Sequence, residues 1–232
     1  MSAAHRLTVI VPVLNEAESI AARLAALRPL RERGCELIVA DGGSADGTPE
    51  LAFPHADRLI TAPKGRAKQM NAGAALADGD LLLFLHADTE LPPHADRLII
   101  EGLEATGRQW GRFDVAITGQ HRLLPVIAGF MNRRSRLTGV ATGDQGMFMR
   151  KAAFEACGGF PEIPLMEDIA LSDRLRRRGP PLCLKERALT SGRRWERNGV
   201  IPTILLMWRL RLAFFLGADP RRLARTYGYA PD

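Results

Sequence analysis

The hydrophobic pattern of this chain changes period several times, and each change marks an element. "LTVIVPV" (7–13), "ELIVAD" (36–41), "DRLITA" (57–62) and "DLLLFLHAD" (80–88) are apolar runs of strand length, as expected of strands buried on both faces. Between the first two runs, Ile20, Leu24 and Leu27 recur at helical spacing and predict an inward-facing stripe. Asn15, with Glu18 three residues on, predicts a cap for that helix, and Pro29 and Gly34 predict its end. Strands alternating with helices over the first ninety or so residues are what βαβ units in a parallel sheet require, so a Rossmann-like half is expected. The second half is less regular, with a helix near 93–107, a strand "RFDVAIT", a helix near 122–137 and a strand "QGMFMRK". "MEDIALSDRLRRRGPP" predicts a further helix, stopped by Gly179 and two prolines, with Arg176 to Arg178 complementing its dipole at the surface.

Composition narrows the class. At 232 residues the chain can bury one sizeable core. Its 46% hydrophobic and 25% charged residues exclude a disordered or fibrous protein. The net charge of +6 points to anionic partners: phosphorylated small molecules, lipid headgroups or nucleic acid. No helix-turn-helix, zinc-finger or RNA-binding aromatic pattern is present, so no nucleic acid partner is expected. Cys35, Cys157 and Cys183 form no CxxC pair, which fits a reducing cytoplasm. "LTVIVPVL" is broken by Pro12 and followed at once by Asn15 and Glu16, so it reads as a first strand rather than an export signal.

Two carboxylates stand at the ends of predicted strands. Asp41 closes the second, before "GGSADGTPE", where a doubly wound fold addresses a nucleotide. Gly42 and Gly43 permit a tight turn there, and Thr48 with Pro49 reads as a helix start. Asp88 follows the fourth strand, where it is either a polar loop residue or a holder of metal or phosphate. "APKGRAKQ" is not a Walker loop, and no GxGxxG follows a strand.

The ordered set "VIVPVLNEAESI", "ADGGSADGT", "KGRAKQMNAGA", "LFLHADTELP", "GMFMRKAAFEACGGFPE" and "MEDIALSDRLRRRG" resembles the family 2 glycosyltransferases of GT-A fold. More narrowly, it is similar to the small standalone transferases associated with radical-SAM and selenodomain genes. The likeness covers roughly residues 6 to 195. It implies an α/β fold of GT-A type, a Rossmann-like, mostly parallel central sheet flanked by helices, with C-terminal helices. One glycosyltransferase domain is implied, with a nucleotide-sugar-binding half (1–92), an acceptor half (93–198) and a helical tail (199–232).

The same resemblance implies inverting transfer of a sugar from a nucleotide-sugar donor, dependent on Mn²⁺ or Mg²⁺. It places Asn15, Glu16, Asp41, Arg66, Asn71 and Arg194 on the donor, with Lys68 beside them, and Asp88 on the metal. His86 stands where the family's DxD has its first Asp, and imidazole suits Mg²⁺ poorly, so it is read as a non-ligand. The resemblance makes Asp168, with Glu167, the catalytic pair, whereas the residues alone read as acids favoured at a helix N-terminus. Asp144, Gln145 and Trp195 are implied for the acceptor. "SGRRWERNG" is similar to QxxRW, but Ser191 replaces the Gln, which favours transfer of a single sugar over polymerisation. The rival readings are a sugar-1-phosphate nucleotidyltransferase, which lacks its glycine-rich opening here, and a noncatalytic nucleotide-sugar-binding protein.

"VIPTILLMWRLRLAFFLG" (200–217) is apolar but carries Arg209 and Arg211. Two central arginines cost about 6 kcal/mol of insertion, against about 3 to 6 gained from the apolar side chains, so a span is not expected. Two readings remain: an interfacial helix giving weak contact with an anionic membrane at its inner face, for a small-molecule or lipid acceptor, or a helical hairpin packed on the acceptor half.

Overall fold

The computed structural model describes residues 6–229. The four apolar runs form β1 (Leu7–Val13), β2 (Glu36–Asp41), β3 (Arg58–Thr61) and β4 (Leu81–Phe84), connected through α1 (Ile20–Ala25), α2 (Arg28–Glu32), α3 (Thr48–Ala52) and α4 (Arg66–Leu76). There follow β5 (Thr89–Glu90), α5 (Ala95–Thr106), β6 (Trp110–Thr118), α6 (Leu124–Thr138), β7 (Met147–Arg150), α7 (Lys151–Ala156), α8 (Glu167–Arg176), β8 (Leu182–Ser191), α9 (Arg193–Asn198), α10 (Val200–Phe215) and α11 (Pro220–Tyr227). They build one eight-stranded sheet of order β3-β2-β1-β4-β7-β6-β8-β5. β3, β2, β1 and β4 are parallel, β7 runs against both β4 and β6, β6 and β8 are parallel, and β5 is an antiparallel edge. The expected mostly parallel α/β architecture is therefore the observed one.

Period-two alternation sends each strand's side chains to opposite faces, and the two faces carry separate cores. Leu7, Val9, Val11, Leu37, Val39, Leu81 and Leu83 pack with Ile20, Leu24, Ile99 and Leu103 of α1 and α5. Ile10, Ile38, Leu82 and Phe84 pack on the other face with Ala67, Met70 and Ala74 of α4 and with Phe154, Leu171 and Leu175. β3, at the sheet edge, is only half-buried, which its mixed "DRLITA" composition permits.

Three local expectations give way to tertiary contacts. Asn15 does not cap α1, which starts after Ser19 without a side-chain cap. Asn15 instead adopts a left-handed conformation (φ 53°) that asparagine tolerates, its Oδ1 accepting the Ala45 N–H (2.9 Å). The N–H groups of Asn15, Glu16 and Ala17 donate to Ser44 Oγ, Thr48 Oγ1 and Asp46 Oδ2, so the loop after β2 satisfies donors that a helix would otherwise claim. Thr48 is thus engaged by Glu16 and Asp46 rather than capping α3. Pro29 does not end the first helix either; it occupies the first turn of α2, and Gly34, at φ 90°, follows that helix.

The C-terminal segment is a hairpin. Leu210, Leu223 and Ala224 of α10 and α11 pack on Val140, Leu165, Met166 and Ile169. The packed-hairpin reading holds, and among the described residues no helix is long and apolar enough to cross a membrane. Arg209 faces solvent while Arg211 turns into a cavity, as two arginines two residues apart on a helix must diverge. Residues 230–232 of the tail lie outside the described residues.

Candidate active site

A cavity of about 210 Å³ opens beyond the ends of β4 and β8, against the head of α8. Its walls bring together Arg66, His86, Asp88, Asp144, Glu167, Asp168, Arg194 and Trp195, residues drawn from five separate stretches of chain. Both expected halves of the chemistry therefore face one space. Ile117, Met131, Met207 and Tyr227 supply its less polar side.

Backbone geometry aims the carboxylates. Met166, immediately before α8, is left-handed at φ 71°, an uncommon state for a bulky residue that costs of order 1–3 kcal/mol. Its buried side chain belongs to the apolar cluster that α10 and α11 share with Val140, Leu165 and Ile169, and that packing offsets the cost of the turn leading into Glu167 and Asp168. Asp168 is anchored at both oxygens, Oδ2 accepting the Gly143 N–H (2.9 Å) and Oδ1 the Ile169 N–H (2.7 Å). Glu167 is buried, and that burial, reinforced by the charge of Asp168 and partly offset by Arg66, pushes its carboxyl up to about 6. Glu16 is also raised, by burial first and then by the charge of Asp88.

His86 packs directly on Gly143, where an added Cβ would lie 2.2 Å from its ring. Its Nδ1 stands 3.5 Å from Asp144 Oδ1. Burial raises the Asp144 carboxyl, but the His86 hydrogen bond and the charges of Arg66 and Arg211 outweigh this and leave it low. His86 thus packs on Gly143 and faces Asp144. Arg66 sits among Tyr229, Glu167, Asp144 and Tyr227, whose combined influence overcomes burial and holds its pKa above the ordinary arginine range, while one side of it remains open to solvent. Its guanidinium lies 5.7 Å from the Tyr229 ring centroid. Arg194 is gripped more closely, its guanidinium 3.5 Å from the Tyr227 ring centroid and its Nη2 donating to the Tyr227 carbonyl (2.8 Å).

Other expected site residues lie outside the cavity wall. Asp41 is buried at the end of β2, its carboxylate accepting from the Gly43 and Ser44 N–H groups and the Ser44 hydroxyl. Asn15 and Glu16 belong to the adjoining stitched turn. Asn71 is committed elsewhere, exchanging two hydrogen bonds of 2.9 Å with the Phe160 backbone, so it ties α4 to a loop instead of pointing at a donor. Gln145 is fully buried, and its Oε1 receives Thr142, closing the turn that carries Asp144. Sequence reasoning did not anticipate Arg211, Thr142 or Tyr227 in the wall. The signal for Arg211 was an arginine inside an otherwise apolar helix; Tyr227 gave none.

Among the described residues, no three His, Cys, Asp or Glu side chains cluster as a complete metal site. A hard divalent ion often takes one or two protein carboxylates and completes its shell with substrate phosphates and water. Asp88 suits that role, since it lines the cavity and its recorded side-chain hydrogen bond is a long one of 3.5 Å from Thr89.

A mostly parallel sheet with a carboxylate- and arginine-lined cleft beyond its strand ends defines an α/β protein of GT-A-like fold. The chain belongs to glycosyl transferase family 2, whose model matches residues 8–158. It is 26% identical over 190 residues to the poly-beta-1,6-N-acetyl-D-glucosamine synthase of Staphylococcus aureus, covering 75% of this chain and 46% of that protein. It is 28% identical over 162 residues to the undecaprenyl-phosphate 4-deoxy-4-formamido-L-arabinose transferase of Yersinia pestis, covering 62% of this chain and 48% of the relative. The chain thus spans about half the length of these relatives. Among solved structures, the fold matches S. aureus TarS 1–349 in complex with UDP-GlcNAc (TM-score 0.66, 16% identity, 80% of this chain and 58% of the other). It also matches the mannosyltransferase PcManGT of Pyrobaculum calidifontis in complex with GDP-Man and Mn²⁺ (TM-score 0.65, 20% identity, 97% and 70%).

Proposed function

We propose that this protein is an inverting, metal-dependent glycosyltransferase that moves a single sugar from a nucleotide-sugar donor to an acceptor hydroxyl. The observation that carries this reading is that Asp88 and Asp168, eighty residues apart in sequence, line one cavity. Asp88 would hold Mn²⁺ or Mg²⁺, which when bound neutralises charge on the leaving nucleoside diphosphate. Arg66 and Arg194 would meet the diphosphate, Arg194 exchanging its contacts with Tyr227 for the donor. Asp41, Asn15 and Glu16 would form the outer nucleoside side of the same strand ends. The domain halves proposed from the sequence follow this division, with Asp144 and Trp195 on the acceptor side.

Inversion by direct displacement needs a base on the face opposite the leaving group. Asp168 is assigned that role, because two main-chain N–H groups fix its carboxylate toward the cavity. The test is Asp168→Asn, which keeps size but removes basicity. Turnover with an accepted donor should fall at least about a hundredfold while donor affinity is retained; unchanged turnover would refute the assignment.

The acceptor side also faces a surface suited to lipid. Val126 and Phe130 of α6 and Ile201, Leu205, Trp208, Leu212 and Phe215 of α10 are exposed, and the Phe130 and Trp208 rings meet at 6.1 Å. Arg209 and the α11 arginines Arg221, Arg222 and Arg225 are exposed beside this hairpin. An apolar stripe flanked by positive charge complements an anionic bilayer, so weak peripheral contact at the cytoplasmic face is proposed, with a lipid-linked acceptor as its purpose.

A further inference from the structure

Both arginines assigned to the donor diphosphate are covered by the C-terminal segment of the chain itself. The Arg194 guanidinium lies 3.5 Å from the Tyr227 ring centroid, and its Nη2 donates to the Tyr227 carbonyl (2.8 Å). The Arg66 guanidinium lies 5.7 Å from the Tyr229 ring centroid. The two rings meet edge to face with centroids 5.0 Å apart, so Tyr227 and Tyr229 form one aromatic cover over both cations. Neither guanidinium hydrogen-bonds a carboxylate among the described residues; the tyrosines are what hold them. The cover also limits space. The cavity lined by Tyr227 and the arginines holds about 210 Å³, whereas pockets for drug-sized ligands run from about 300 to 1,000 Å³. A nucleotide sugar is a ligand of that size or larger, so a wall has to move before it enters.

The wall that carries the tyrosines is the one held least firmly. α11 ends at Tyr227, and left-handed glycines flank it, Gly217 at φ 86° and Gly228 at φ 91°. Only Leu223 and Ala224 of its eight residues are buried. The carbonyl that Arg194 takes is among the last four of the helix, which lack intrahelical donors, and a cation there complements the helix dipole. Arg194 therefore holds the end of α11 as much as Tyr227 holds Arg194. A helix this short is unstable in isolation, so withdrawal of Arg194 weakens the whole element. A diphosphate is the stronger ligand of the two. Burial pushes the Tyr227 hydroxyl up to about 12, so it stays neutral. A neutral ring and a carbonyl hold a guanidinium less firmly than charged phosphate oxygens, which match its fork of donors.

We propose that the Tyr227–Gly228–Tyr229 strap is autoinhibitory: it occupies the diphosphate-binding arginines in the free protein and is expelled when a nucleoside diphosphate takes them. The proposal rests on the glycosyltransferase reading for the identity of that ligand. Strap and ligand compete for the same guanidinium donors, so the two states exclude each other at Arg194. The apparent affinity for donor is then lowered in proportion to the fraction of molecules whose strap is open. A lid that closes over bound donor has the opposite signature, because it orders where the strap is released.

The experiment uses the full chain with UDP or GDP and Mn²⁺, and separately with inorganic pyrophosphate. Hydrogen exchange in the wild type reads the strap directly, because the Gly228 and Tyr229 amides donate to the Arg225 and Ala224 carbonyls while α11 is seated. Saturating nucleotide should speed their exchange at least about tenfold. Calorimetry should show nucleotide binding tighter by about fivefold or more in a variant carrying Tyr227→Leu and Tyr229→Leu, which keeps apolar bulk against the hairpin but loses the ring faces. Unchanged or slower exchange on binding overturns the proposal. Equal or weaker binding by the variant also overturns it, since tyrosines that only position the arginines give that result. The wild-type exchange measurement decides the matter if the variant fails to fold. Nucleotide binding with the strap amides still protected removes the strap and leaves the glycosyltransferase reading standing. Release of the strap by pyrophosphate, with no binding of either nucleotide, does the reverse. Absence of binding by every probe overturns both.

Discussion

Glu167 should destabilise this protein at neutral pH, and the size of the effect follows from its surroundings. Its carboxyl is raised from 4.5 to about 6, chiefly by burial and then by Asp168. In the folded state it therefore holds its proton more tightly than in the unfolded chain. Folding stability is greatest below the unfolded value and falls as pH rises from about 4.5 to about 6. A rise of about one and a half pH units at ~1.36 kcal/mol each gives a loss of about 2 kcal/mol, complete above about pH 6. Glu167→Gln mimics the protonated acid, so it should be more stable than the wild type by up to about 2 kcal/mol at pH 7 and equal to it near pH 4. For a chain of this size that is a difference of about 4–8 °C in Tm. Urea denaturation of both proteins from pH 4 to 8 measures it directly. The cause can be checked separately: Asp168→Asn should lower the Glu167 midpoint and shrink the difference, and Arg66→Ala should raise it. A gap between wild type and Glu167→Gln that stays constant across the whole range would refute the reasoning, because a carboxyl whose pKa differs between the folded and unfolded states must make the gap depend on pH.

Asp88→Ala should abolish the Mn²⁺-dependent part of nucleotide-sugar binding while leaving the fold intact; a ligand at a hundred times its Kd adds about 2.7 kcal/mol to wild-type stability, so loss of that thermal shift is the readout. Gly143→Ala should cost about 1–3 kcal/mol, since the new methyl collides with the His86 ring, and pairing it with His86→Ala should restore most of the stability in denaturant melts. Trp208→Ser with Phe130→Ser should remove co-sedimentation with anionic vesicles, and high salt should weaken wild-type binding; no wild-type binding at low salt would dispose of the membrane contact.

What the sequence determined is what neighbouring residues decide among themselves. The unbroken apolar runs of β1, β2 and β4 declared strands buried on both faces, and the α8 segment carried its own stop in Gly179 and the following prolines. The ends of β2 and β4 placed Asp41 and Asp88 without reference to anything distant. Where a second segment competed for the same groups, local reading failed. The loop at 44–48 took the N–H groups of residues 15–17 and cancelled the Asn15 cap. β8 was hidden because Lys185, Glu186 and Arg187 interrupt its apolar pattern, and against β6 it advances four residues, Cys183 to Arg187, while its neighbour advances two, Arg112 to Asp114. Alternation tells which face a side chain takes, but not which strand lies beside it. The sharing of one cavity by Asp88 and Asp168 was decided by the placing of α8 at the end of the sheet, and the turning of Arg211 inward and the seating of Tyr227 on Arg194 by the packing of the α10–α11 hairpin. Those contacts join residues whose separation along the chain leaves no periodic trace, and the burial that fixes them is shared among helices no single stretch of sequence contains.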